Sequence, residues 1–286
     1  MAIRRTLLYS DIFDYPLTLD ELYTFLLTEN HYTKSDVEKT LRCLPDVIKT
    51  KNYYTLKKRE HLSFLREQKR QLNEQKIQKA KDIIKKISFI PTILFIGISG
   101  SVAMHNAKKD DDIDFFVITK KDTIWMSRLL LIVFLLFFGM LRTRLTKKLS
   151  NTICLNMLID ETALSFPKER QDLYTAHEIV QLMPILERNE IYMRFLQKNK
   201  WILTYMPYSL TEKKKILSLK TKFLGQVAAR CLSFSLFEFF AKKIQTFYMH
   251  THITNETIST NFLAFHPMDY RERTLILYEK KIKKYV

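Results

Sequence analysis

The sequence is short of cysteine, glycine and proline. Its three cysteines, Cys43, Cys154 and Cys231, are far apart and odd in number. That pattern excludes a disulfide framework and the paired spacing of a structural metal site, and it fits a reducing cytoplasm. With 4 glycines and 7 prolines in 286 residues, the chain is neither collagen-like nor low-complexity, and it favours helices over long loops. The first residues, Met1-Ala2-Ile3-Arg4-Arg5-Thr6, lack the apolar stretch and cleavage site of a secretory leader. A Gly-x-Ser-x-Gly elbow and a Gly-Lys-Ser/Thr phosphate loop are both missing, which argues against serine-nucleophile and P-loop chemistry. The apolar run Leu129 to Leu141 falls short of the ~20 residues that a spanning helix needs. It predicts a helix buried between two strands. The alternative is a helix lying on a membrane, its basic flanks Arg142, Arg144, Lys147 and Lys148 against anionic lipid.

What is present is globular: 47% hydrophobic and 13% aromatic residues, too apolar for a disordered chain. Lysine and arginine total 47 against 30 acids, a formal charge of +17. Such a balance suits polyanionic partners, namely nucleotides, nucleic acid or an acidic membrane surface, and equally suits simple solubility.

The most informative stretch is Phe95-Ile96-Gly97-Ile98-Ser99-Gly100-Ser101, followed by Asp110-Asp111-Asp112-Ile113-Asp114-Phe115-Phe116-Val117-Ile118. It reads as a buried strand, a glycine turn, a short helix and a second buried strand. Asp112 and Asp114 are two apart at the start of that strand, so both carboxylates face one way and repel unless a cation lies between them. The Gly100-Ser101 turn opens a helix, whose free amides favour phosphate. A phosphate cradle beside a divalent-metal site is equipment for phosphoryl or nucleotidyl transfer.

Gly100-Ser101, a gap, then Asp112-x-Asp114 within an apolar strand resembles the signature of the DNA polymerase β-like nucleotidyltransferase superfamily, over roughly residues 91–119. The resemblance implies transfer of a nucleoside monophosphate from a nucleoside triphosphate to an acceptor hydroxyl, with Mg²⁺ or Mn²⁺ on Asp112 and Asp114. Gly100 and Ser101 would hold the phosphates, and Lys108 and Lys109 in the basic gap would steady their charge. The acceptor, whether RNA, protein or a small molecule, is left open. Family members carry a third carboxylate on the third strand. Here Asn156 stands at the expected mid-strand position, sharing a face by period two with Cys154, Leu158 and Asp160. An acid from elsewhere could substitute, with Asp160, Glu161 and Glu178 as candidates. The rival reading is a catalytically silent relative that regulates by binding nucleic acid.

The expected fold class is α+β: a small mixed-sheet nucleotidyltransferase core, an N-terminal winged-helix module and a helical C-terminal domain. Residues 1–58 read as three helices and a two-stranded wing, with capping boxes at Thr18-Leu19-Asp20-Glu21 and Ser35-Asp36-Val37-Glu38. The third helix would offer Lys34, Lys39 and Arg42 to DNA, or the module would dock on protein or on the rest of this chain. Residues 59–88 read as a linking helix with a basic, solvated face that includes Arg66, Lys69 and Lys76. Residues 89–165 form the core, with a helix over Ser101–Lys108 and another over Asp122–Arg142. Residues 166–286 read as helices throughout, with Trp201 as core packing and Asp269 as an N-cap. His266 and Arg271 could meet a phosphate there. His105 is the histidine nearest the phosphate turn, and His250-x-His252 reads as surface.

Overall fold

The computed structural model describes residues 1–143, 150–210, 233–250, 257–265 and 269–285. Three helices, α1 (Ala2–Asp11), α2 (Leu19–Thr24) and α3 (Lys34–Cys43), lead into a hairpin of β1 (Val47–Thr50) and β2 (Tyr53–Leu56). Thr18 and Glu21 cap α2 reciprocally, as the sequence predicts. The second box forms two residues earlier than expected. Thr33 is the N-cap of α3, and its amide and hydroxyl both donate to Asp36.

The long helix α4 (His61–Ile87) follows. Its basic face is not all solvated. Arg66 is clamped between the rings of Tyr15 and Tyr53, 4.1 and 4.7 Å from their centroids, and donates to both oxygens of Glu21. Lys76 is fully buried, and its ammonium donates to the carbonyls of Lys109 and Asp111. These two cations fasten α4 to the modules on either side of it.

Next come β3 (Ile93–Ser99), the single-turn α5 (Gly100–Ala103), β4 (Ile113–Thr119), α6 (Ile124–Phe137) and β5 (Ile153–Asp160). The helix predicted to run from Ser101 to Lys108 stops at Ala103, because His105 takes a left-handed φ of 51°. The helix predicted to reach Arg142 ends at Phe137. Gly139, at φ 63°, turns the chain into a parallel bridge between Leu141 and Ile153.

The second half is not all helical. α7 (Leu173–Gln181) gives way to β6 (Met183–Glu187), then α8 (Ile191–Lys198). α9 (Ser233–His250), β7 (Thr257–Ile258), β8 (Phe262–Ala264) and α10 (Asp269–Tyr285) complete the described elements. Pro184 explains why helical spacing through Leu186 misleads. Proline cannot sit inside a helix, and β6 is an edge strand, where it is tolerated. The sheet order is β6-β3-β4-β5-β8-β7. β4 runs antiparallel to β3 and parallel to β5. The fold is therefore mixed α+β, and the second half supplies both edges of the sheet rather than a separate helical domain.

Two apolar layers cover the sheet. One face packs on α1–α3, α7, α8 and Tyr278 of α10, joining residues 1–58 and the second half in a single core. The other face packs on α4, α6 and Ala241 of α9. Among the described residues, no helix is long and apolar enough to cross a membrane.

Candidate functional site

Ser99, Asp114 and Cys154 form one row across β3, β4 and β5, since Ser99 pairs with Asp114 and Asp114 with Cys154. Side chains in such a row point to the same face. Gly100 follows Ser99 at φ 64°, and a Cβ there would stand 2.9 Å from Oδ2 of Asp114. Glycine is thus required twice at this position, for its dihedral and for the closeness of the turn to the carboxylate. Asp112 lies just before β4. One ligand atom each from Asp112, Asp114 and Cys154 fall within 4.8 Å of one another.

Burial first, then the charges of Asp112 and Glu178, push the Asp114 carboxyl up to about 8. Arg142 relieves part of that strain, donating from Nη1 to Oδ2 of Asp112 at 2.6 Å. Burial opposes the charge on Arg142, but Asp112 outweighs it and raises its pKa further. The Cys154 thiol is pushed well up by burial and by both aspartates, so it keeps its proton.

The segment between the glycine turn and β4 is held from below by α4. Asn73 bonds the backbone of Ala107 in both directions, Lys69 reaches Oδ1 of Asn106 at 2.7 Å, and Lys76 holds Lys109 and Asp111. Asp111 closes the turn by accepting from the amide of Lys108 at 2.8 Å.

These groups open on a cavity of about 990 Å³. Gly100, Ser101, Asp112 and Asp114 line it, as does Glu178. Burial lifts the Glu178 carboxyl to about 7. The opposite wall is aromatic and comes from the N-terminal module, with Tyr9, Phe13, Tyr15 and Phe25. Tyr9 is fixed by stacking on His177, ring centroids 3.8 Å apart, and His177 is itself a buried core residue.

Several residues singled out in the sequence lie elsewhere. Lys108 and Lys109 are exposed and do not line the cavity, nor does His105. Asn156 is buried, does not line the cavity, and donates from Nδ2 to Oγ of Ser99 at 3.5 Å. Its position is a β-bulge: Phe115 pairs with Leu155 and Phe116 with Met157, leaving Asn156 over. The parallel register itself sets Cys154 beside Asp114, ahead of the bulge. Asp160 accepts from the amide of Thr162, Glu161 pairs with Arg194, and Arg271 pairs with Asp172. Trp201 is half-buried and donates to Asn199. Arg144, Lys147, Lys148, Cys231, His252 and His266 lie outside the described residues. Arg142, Cys154 and the aromatic wall are the site components that sequence reasoning does not reach.

The donor set fits a hard divalent cation. Asp112 and Asp114 are the oxygen ligands that Mg²⁺ or Mn²⁺ takes, completed in such sites by water and phosphate. Cys154, a protonated soft donor, adds little to Mg²⁺ binding. No family model, curated protein or solved structure matches this chain.

Proposed function

We propose that the chain is a metal-dependent nucleotidyltransferase of the DNA polymerase β-like kind, acting at the Gly100–Asp114 site. One observation carries the reading: the glycine turn lies against a paired acidic cluster that faces a cavity large enough for a nucleotide. A divalent cation held by Asp112 and Asp114 would neutralise the triphosphate. The amides of the Gly100-Ser101 turn, which lack partners within so short a helix, bind phosphate oxygens. Arg142 shifts from Asp112 to a phosphate, as guanidinium groups do when a better anion arrives. The aromatic wall gives the base a stacking surface.

Glu178 takes the part of the third acid. With its pKa near neutrality, it can accept the proton of an acceptor hydroxyl. The acceptor oxygen bonds to the α-phosphorus, the bond from that phosphorus to the bridging oxygen breaks, and pyrophosphate leaves. RNA, protein and small-molecule hydroxyls are the acceptor classes.

Reading of DNA by the N-terminal module has less support. Lys34 and Arg42 pair with Asp20 and Glu38, and α1 is buried in the shared core. We read this winged-helix-like unit as a wall of the site.

The test is incubation with α-labelled nucleoside triphosphates and Mg²⁺ or Mn²⁺ over RNA, protein and small-molecule acceptors. Label should transfer with wild type and not with Asp112→Asn/Asp114→Asn. Full transfer by that double variant would overturn the mechanism. Glu178→Gln should remove the pH dependence of the rate near 7.

A further inference from the structure

The outer helices of the second layer are built with reversed polarity. A helix on a water-facing surface turns its apolar stripe inward and its polar residues out. α9 does the opposite. Glu238 points inward and accepts from the amides of Trp125 and Met126, at 2.9 and 2.8 Å, which caps α6. Gln245 also points inward, donating to the carbonyl of Trp125 at 2.8 Å. The outward positions are Leu236, Phe237, Phe240, Ile244 and Phe247, each at least half exposed. Phe247 is 82% exposed.

α6 packs beside α9 and continues the same surface. Val133, Leu136 and Phe137 face out from it, and Phe137 is again 82% exposed. The run Leu129 to Leu141, which length predicts to be buried, is therefore only partly so: Leu131 and Leu135 pack in the core with Ile124 and Trp125 before them, and Val133, Leu136 and Phe137 are exposed.

Charge selects the occupant. Glu238 is the only acid in the sequences of α6 and α9, and it is engaged inward. The cations lie where the apolar surface meets water. Lys243 sits over the ring of Phe239 at 4.6 Å, Lys242 is exposed beside it, and Lys86 of α4 sits over Phe138 at 4.8 Å. Lysines whose stems lie along aromatic rings and whose ammonium groups reach past them are placed as at a lipid headgroup boundary. A two-fold contact between copies would set this surface, Lys242 and Lys243 included, against itself, and neither α6 nor α9 offers an outward acid to meet them. Among the described residues, no helix is long and apolar enough to cross a membrane.

We propose that the α6–α9 face is a peripheral membrane-binding surface that inserts its phenylalanines at the interface of an anionic bilayer. This inference is independent of the nucleotidyltransferase reading.

The experiment is flotation of the full chain with vesicles of phosphatidylcholine alone and of phosphatidylcholine mixed with phosphatidylglycerol. Binding should require the anionic lipid and weaken with salt. Phe237→Ser/Phe247→Ser should reduce it about tenfold or more, as should Lys242→Glu/Lys243→Glu. Unchanged circular dichroism would show that these variants fold. Phe247→Trp keeps the aromatic character, and its emission should shift to the blue only with anionic vesicles. Equal binding to neutral vesicles, absence of binding to both, or a wild-type dimer that the phenylalanine variants dissociate would each overturn the proposal.

Discussion

Arg142 and Asp112, 30 positions apart in the chain, meet at 2.6 Å on the rim of the cavity. The guanidinium there takes the place of a cation on the carboxylate. Arg142→Ala should weaken nucleoside triphosphate binding by about tenfold, the loss expected for one charge-assisted phosphate contact. Arg142→Lys should recover part of it. Titration calorimetry with a non-hydrolysable triphosphate analogue checks both.

Asp114 sets a pH signature. Its carboxyl titrates near 8 when folded, against an ordinary value of 3.8. Between those values the folded chain holds a proton that the unfolded chain has lost, so stability falls as pH rises through that window. The slope reaches at most about 1.4 kcal/mol per pH unit. Asp114→Asn should flatten this contribution and raise the melting temperature of the metal-free protein at pH 8. Mg²⁺ should stabilise wild type there and leave the variant unchanged. Thermal melts across pH give both readouts.

Cys154 offers a chemical test of the metal. Its protonated thiol lies beside Asp114 without supplying a hard ligand. Cys154→Ser should leave Mg²⁺-supported transfer within about twofold. Cys154→Asp should raise Mg²⁺ affinity, measured as the metal concentration at half-maximal rate.

The Arg66–Glu21 pair joins α4 to the N-terminal module. Arg66→Met would strand the Glu21 carboxylate in a largely buried site and should cost roughly 3 kcal/mol in denaturant unfolding. Adding Glu21→Gln to it should return part of that loss.

His177 governs the acid side. Burial lowers its pKa to about 4 from 6.5. The unfolded chain therefore binds the proton first, and this contribution to stability is lost as pH falls from about 6.5 towards 4. His177→Phe should remove that acid limb in melts from pH 7 to 4.

The parts of the fold readable from sequence were local. Continuous apolar runs located β3, β4 and β5, the Thr18–Glu21 box located α2, and Gly100 with Asp112-x-Asp114 located one side of the cavity. What escaped depends on distant contacts. The pairing of Asp114 with Cys154 and the bulge at Asn156 are properties of strand register, which spacing within one strand does not set. Lys76 and Arg66 look like solvated charges until the loop and rings that enclose them are in place. The aromatic wall comes from positions nearly a hundred residues upstream of the aspartates. Met183–Glu187 escaped for a different reason: its spacing continues that of α7, and the local signal of Pro184 went unread.

The buttress behind that wall comes from the far part of the chain. Lys281 pairs with Asp11, the Tyr278 hydroxyl bonds the carbonyl of Arg5, and its ring meets Tyr9 edge-on. The first helix thus owes part of its support to the last one. A product that stops short of residue 269 would keep Gly100, Asp112, Asp114 and Glu178 yet lose all three contacts behind Tyr9, so a lesion far from the acids reaches the pocket through its aromatic side.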